Sequence, residues 1–342
     1  MFTIKKILPI VLVIASSLKV FSQCCSPGNP AGGIGAQSVL EKNTAKISLI
    51  YKGGYSDTYF GAVHGSSKPI SLNDGTGFFP SVKNANYNFA GISFRFGVTD
   101  IVTVESDLGY FINKTQNYAE GLIPTQQKGY GLTDFNLNFK VRVFKKNEFE
   151  ITPTFGLKIP TSNKKQFGNN GIRIPLDLQS TNAAFALRLG LLLYKGFPEK
   201  HLRFFLEGKE ELSKQTKVDQ FNYNYGNIYF ISWFTTWSFT TRWTAVVQFR
   251  NEFRNKDIQY ENPPREIYST GSNKLFLVPQ LNYSFNNDWD ISLFADVPLY
   301  QYYNGKQLAT KFAAGLQVSK KLVFKSKEKK STVPSLSKIN NQ

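Results

Sequence analysis

The sequence predicts an all-β fold: a transmembrane antiparallel outer-membrane β-barrel of about 12 strands with a short irregular N-terminal segment. Three observations carry that prediction. Apolar and polar residues alternate with period two through most of the chain, the links between alternating segments are by turns short and long, and the chain opens with an export signal. Composition narrows the field first. The 342 residues carry 41 Lys+Arg against 24 Asp+Glu, a formal charge of +17, with 30 Phe, 17 Tyr, one Met and two Cys. Such aromatic content excludes an intrinsically disordered chain, and two cysteines exclude a disulfide-rich scaffold. A helical membrane protein would need repeated apolar runs of about 20 residues, and none occurs.

At the N-terminus, Lys5 and Lys6 precede the apolar run Ile7 to Ala15, and Val20-Phe21-Ser22 offers small residues at the −3 and −1 positions of a cleavage site. Residues 1–22 read as a secretory signal peptide, and export argues against a nucleic-acid partner. Residues 23–43 form a leader. It begins with Gln23, followed by Cys24 and Cys25, which are open to lipid modification, a vicinal disulfide or free thiols. The stretch 26–37, rich in Gly and Pro, forms neither strand nor helix and is a candidate lumen plug.

Residues 44–324 form the barrel. Asp134, Asn136, Asn138, Lys140 and Arg142 alternate with Phe135, Leu137, Phe139, Val141 and Val143; Trp243, Ala245, Val247, Phe249 and Phe253 alternate with Thr244, Gln248, Arg250, Glu252 and Arg254. Twelve such segments lie at about 44–55, 85–98, 101–113, 130–144, 148–160, 181–194, 201–213, 227–239, 243–254, 273–285, 289–301 and 309–324. Every second link is a short turn. The others are mostly long and polar, and an even strand number with short turns on one side and long loops on the other is what a membrane barrel requires. Trp237, Trp243, Trp289 and Phe324 fall beside short turns, and Tyr55, Tyr110 and Tyr229 toward the opposite rim, as two interfacial girdles would. Phe324 closes the last strand and shares a face with Phe312, Ala314, Leu316, Val318 and Leu322. That aromatic ending resembles the signal read by the barrel-assembly machinery, an expected partner beside outer-membrane lipid. The 18 residues after it depart from the usual arrangement, and 325–342 read as a basic disordered tail.

Pointing the polar face inward yields a lumen inventory. The basic set is Lys46, Lys52, Arg95, Lys140, Arg142, Lys158, Arg188, Arg203, Lys209, Arg250, Arg254, Lys311 and Lys321; the acidic set is Glu105, Asp107, Asp134, Glu150, Glu207, Glu211, Glu252 and Asp296. Thirteen less eight leaves about five positive charges. Two uses are open. The charges can pair across strands and fill the interior, or the surplus can focus an anionic solute.

Catalytic constellations are lacking. His64, in the first long loop, and His201, beside a short turn, fall at opposite ends, so they share neither a metal nor a dyad. The cysteines have no ligand partners at metal spacing, and Gly168-Asn169-Asn170-Gly171 is a loop turn and not a phosphate cradle. No enzyme, cofactor or metal site is expected.

Residues 97–195 carry a resemblance. Gly97-Val98-Thr99-Asp100 at a tight turn, Gly131-Leu132-Thr133-Asp134-Phe135-Asn136-Leu137, Phe155-Gly156-Leu157-Lys158-Ile159-Pro160-Thr161 and Ile174-Pro175-Leu176-Asp177-Leu178-Gln179 resemble the outer-membrane barrel family named for the meta-pathway of phenol degradation. That family is related in kind to the long-chain fatty-acid transporters. The Cys24-Cys25 pair before a Gly-rich stretch resembles members described simply as transporters. The likeness covers about a third of the chain, and its turn and strand signatures specify fold better than substrate. Ser180, Thr181 and Asn182 stand where the family's pattern has glycines. The resemblance implies uptake of a small hydrophobic or aromatic solute and supplies no catalytic residues. The rival functions are a structural or adhesive barrel working through its outer loops and, further off, a barrel enzyme.

Overall fold

The computed structural model describes residues 38–61, 65–70, 82–119, 125–164, 166–168, 171, 173–218 and 221–324. Twelve antiparallel strands close into a barrel. They are β1 (Thr44–Ser56), β2 (Val82–Gly97), β3 (Val102–Tyr118), β4 in three pieces (Gln126–Leu132, Phe135–Val141 and Phe144–Lys146), β5 (Phe149–Ile159), β6 (Ala186–Phe197), β7 (Leu202–Ser213), β8 (Ile228–Ser238), β9 (Trp243–Arg254), β10 (Ser272–Ser284), β11 (Trp289–Tyr303) and β12 (Phe312–Val323). Each strand pairs with its neighbours in sequence. The barrel closes where β12 runs antiparallel to β1, from Thr44 opposite Val323 to Tyr55 opposite Phe312. No backbone edge is left for lipid to meet, which is why a sheet can cross a membrane only when closed.

The alternation places its two halves as the sequence requires. Leu49 (59% exposed), Phe155 (54%), Trp233 (51%) and Leu293 (59%) point outward, while Lys52 (4%) and Lys140 (3%) point inward. Leaving each such outward side chain in water would cost about 1.5–3 kcal/mol; in lipid the cost vanishes. Trp243 packs on Tyr283 (4.7 Å between ring centroids), Trp237 on Phe239 (5.4 Å) and Phe324 on Phe96 (6.3 Å) at the short-turn end, and Tyr55 meets Phe312 (6.2 Å) at the other.

The short turns are held by local chemistry. Thr99 Oγ1 accepts from Ile101 N and Val102 N, Thr240 Oγ1 from Arg242 N and Trp243 N, and Asn286 Oδ1 from Asp288 N and Trp289 N. One side chain thus satisfies two amides that the turn would leave unpaired. Asn147 and Glu148, both left-handed (φ 48° and 59°), form the two-residue hairpin turn into β5.

Boundaries shift where side chains replace the ladder. The segment expected at 130–144 is interrupted at Thr133, whose Oγ1 accepts from Gly109 N (3.0 Å). The segment expected from 181 begins as a strand only at Ala186, because Ala183 is left-handed (φ 56°) and Thr181 turns inward to bond Asp134. Beyond Tyr110, β2, β3 and β4 run further than expected as a polar hairpin stack. Asn88 bonds Asn113 (2.8 Å), Asn117 bonds Asn84 (2.7 Å) and Gln126 bonds Asn117 (2.6 Å). With both faces polar there, period two disappears from the sequence while the strands continue.

Candidate functional site

The inward face contains layers of charge. Nearest the short turns, Glu150 pairs with Arg142 (3.5 Å) and Lys145 (3.2 Å) and takes a hydrogen bond from Ser38. Leu40 N donates to Thr103 Oγ1 (2.8 Å), a fully buried inward residue. The end of the leader therefore lies in the turn-end mouth. One layer up, Arg95 (3.4 Å) and Lys140 (3.1 Å) converge on Glu105 Oε1, and Lys46 reaches Asp290 (3.4 Å). In the loop-end half, Lys158 lies between Asp134 and Glu211, with Arg188 on the other oxygen of Glu211. On the facing wall Lys52 (2.7 Å) and Arg250 (2.8 Å) share Asp296 Oδ2, while Lys274 pairs with Glu252 (2.7 Å). Desolvated charge is tolerated only when matched this way.

Among these layers the lumen also holds two apolar clusters, which the sequence inventory did not anticipate. Leu192, Phe205, Phe234 and Val246 pack together toward the turn end, and Ile50, Phe276, Val278 and Phe294 form a second cluster higher up. All share the parity of the charged inward residues, and that parity was the available signal. Several rings lie flat along the wall over glycines. A Cβ on Gly315 would fall 2.3 Å from the Phe294 ring, and one on Gly109 would fall 2.1 Å from that of Phe89. Any larger residue there would push a ring into the lumen.

The long loops roof the loop end. Short strands Thr216–Val218, Phe221–Asn224, Ile258–Gln259 and Arg265–Glu266 form a small sheet, and Thr58–Phe60 pairs with Gln307–Ala309. Asp257, buried, clasps this roof: its carboxylate accepts from Tyr223 OH (2.6 Å) and Gly226 N (2.5 Å) and pairs with Arg254 (3.4 Å). The loop between β5 and β6 dips inward through a 3₁₀ turn, Leu176–Leu178, and Lys114 Nζ donates to Gln179 O (2.9 Å) to hold it. Burial pushes the Asp177 carboxyl there up to about 6, reinforced by Asp257 and opposed by Lys114 and Arg254.

Beneath the roof lies a cavity of about 530 Å³. Of the residues in the expected lumen inventory, Lys52, Asp134, Lys158, Arg188, Glu207, Lys209, Glu211, Arg250, Glu252, Arg254 and Asp296 line it. Lys46, Arg95, Glu105, Lys140 and Arg142 belong to the layers nearer the turns; Asp107 sits half-buried on β3, and Arg203 is exposed at the turn-end mouth. Lys311, expected inward, instead pairs with Asp57 at the exposed loop-end rim (2.6 Å), because β12 begins only at Phe312. His64 and the cysteines lie outside the described residues. Lys114, Asp177, Asp257, Lys274 and Lys306 also line the cavity and were missed. All but Lys274 sit in loops or past a bulge, where period two cannot assign a face; Lys274 shares the parity of Phe276. Nine basic and seven acidic side chains line the cavity, so the surplus there is two.

The barrel fold is shared with a solved outer-membrane channel. A crystal structure of the COG4313 outer membrane channel from Pseudomonas putida F1 matches with a TM-score of 0.62 at 11% identity, covering 87% of this chain and 99% of that one. The translocator domain of autotransporter NalP from Neisseria meningitidis (TM-score 0.42, 9% identity, 82% and 89% covered) superposes too loosely to bear on this chain. So does the TodX deltaS2S3 mutant monoaromatic hydrocarbon channel (0.41, 10%, 83% and 91%). No family model and no curated protein matches the sequence.

Proposed function

We propose that this protein is an outer-membrane channel passing a small solute, hydrophobic or aromatic in character. The carrying observation is the roofed cavity inside the barrel, where ring faces such as Tyr87, Phe111 and Phe276 alternate with charged side chains. Such a mix holds a small molecule by its apolar body and orients it by a few polar groups. The leader's contacts with Glu150 and Thr103 support a plug at the turn end. The test is conductance in planar bilayers, with and without residues 23–43, beside uptake of aromatic, fatty-acid and sugar solutes by a deletion strain and its parent. A bilayer that stays silent for both forms would sink the reading. The folded sheet formed by the loops favours one second reading, an adhesive barrel; deleting the loops would then abolish binding while solute uptake stayed unchanged.

A further inference from the structure

We infer that the loop-end cavity holds a binding site for an aromatic monocarboxylate, on the wall that runs from β9 through β12 to β1; the inference rests on the channel reading. Three cations and two carboxylates meet there. Lys52 Nζ and Arg250 Nη2 both spend themselves on one oxygen, Asp296 Oδ2 (2.7 and 2.8 Å), and Lys274 pairs with Glu252 (2.7 Å). Lys52, Arg250, Lys274 and Asp296 are each more than nine-tenths buried, and all five charged groups line the cavity. The cluster therefore carries one net positive charge, shielded poorly from a ligand in the cavity.

The same cations frame an aromatic surface. The Arg250 guanidinium lies 5.0 Å and the Lys274 ammonium 5.8 Å from the Phe276 ring centroid, and Phe276 also lines the cavity. A ligand ring packed against the part of Phe276 that borders the cavity places a carboxylate substituent beside Arg250, whose planar fork suits two carboxylate oxygens. One negative charge completes the neutrality of the cluster. A neutral aromatic leaves that charge unmatched, and a small aliphatic carboxylate forgoes the ring contact.

The test is calorimetry on the detergent-solubilised full chain with benzoate, benzyl alcohol and acetate. Benzoate is expected to bind at least about tenfold tighter than either of the others, a difference of about 1.4 kcal/mol. Arg250→Gln, which leaves Asp296 paired with Lys52, is expected to remove the preference for benzoate over benzyl alcohol. Equal affinity for benzoate and acetate would mean a general anion site, and equal affinity for benzoate and benzyl alcohol a general apolar one; either overturns the inference, as does absence of benzoate binding. The ligand comparison on the unaltered chain stands even if the variant fails to fold. Binding without conductance would sink the channel reading alone, and conductance without benzoate preference would sink only the inference.

Discussion

The two halves of the lumen are built from the same alternating strands and paired charges, yet they are filled differently. Toward the short turns, Glu105 draws Arg95 and Lys140 together, Leu192, Phe205, Phe234 and Val246 pack on one another, and Ser38 and Leu40 contact the mouth. Toward the loops, charges of the same kind stand around a cavity of about 530 Å³. Polarity at inward positions therefore does not tell a filled lumen from an open one. What separates them is where side chains meet each other and where they lie back along the wall, as Tyr87 does over Gly54 beside the cavity.

The comparison can be broken most forcefully in the filled half. Glu105→Gln leaves Arg95 and Lys140 without their buried counter-charge and should cost about 3–5 kcal/mol, read as a lowered midpoint in denaturant unfolding of the detergent-solubilised barrel. Phe234→Ala should cost about 3 kcal/mol through the vacated space and raise conductance, whereas a ring that did not obstruct the lumen would leave conductance unchanged. In the open half the expected stability effects are smaller. Glu252→Gln should lower that midpoint by less than Glu105→Gln does, because Lys274 at the cavity wall can turn toward the open space, while shifting the reversal potential in a salt gradient toward anions.

The smallest effect is the one pH controls. Asp177 holds its proton to about pH 6, above the ordinary 3.8, chiefly because it is buried. The folded state therefore binds the proton more tightly, so the docking of its loop is strongest at low pH, weakens as pH rises from about 4 to 6, and is level above that. Protonation also removes one negative charge, taking the cavity surplus from two to three. Anion preference should rise as pH falls from 7 to 5, and Asp177→Asn should abolish that change; a wild-type reversal potential that stays flat across this range would refute the assignment.

The contrast between the halves also marks how far the sequence could be read. Alternation as regular as that around Phe139 and Lys140 assigns each residue a face without any neighbour being known, and Thr99, Thr240 and Asn286 mark short turns by their own side-chain chemistry. At Lys114 the signal fails, since a register shift between Phe111 and Lys114 breaks the count. It fails again at Asp177 and Asp257, whose positions depend on loops folding back over the barrel.

By itself the sequence determined the all-β class, the closed barrel's strand order and the outward apolar belt, because each follows from period-two local chemistry repeated along the chain. Only the tertiary structure decided which inward charges pair, as Lys158 on β5 reaches Glu211 on β7 across an intervening strand. It alone decided that rings line the lumen and that two loops meet at Asp257. Those outcomes depend on curvature, register and loop docking, which bring together residues far apart in the chain and leave no periodic trace in it.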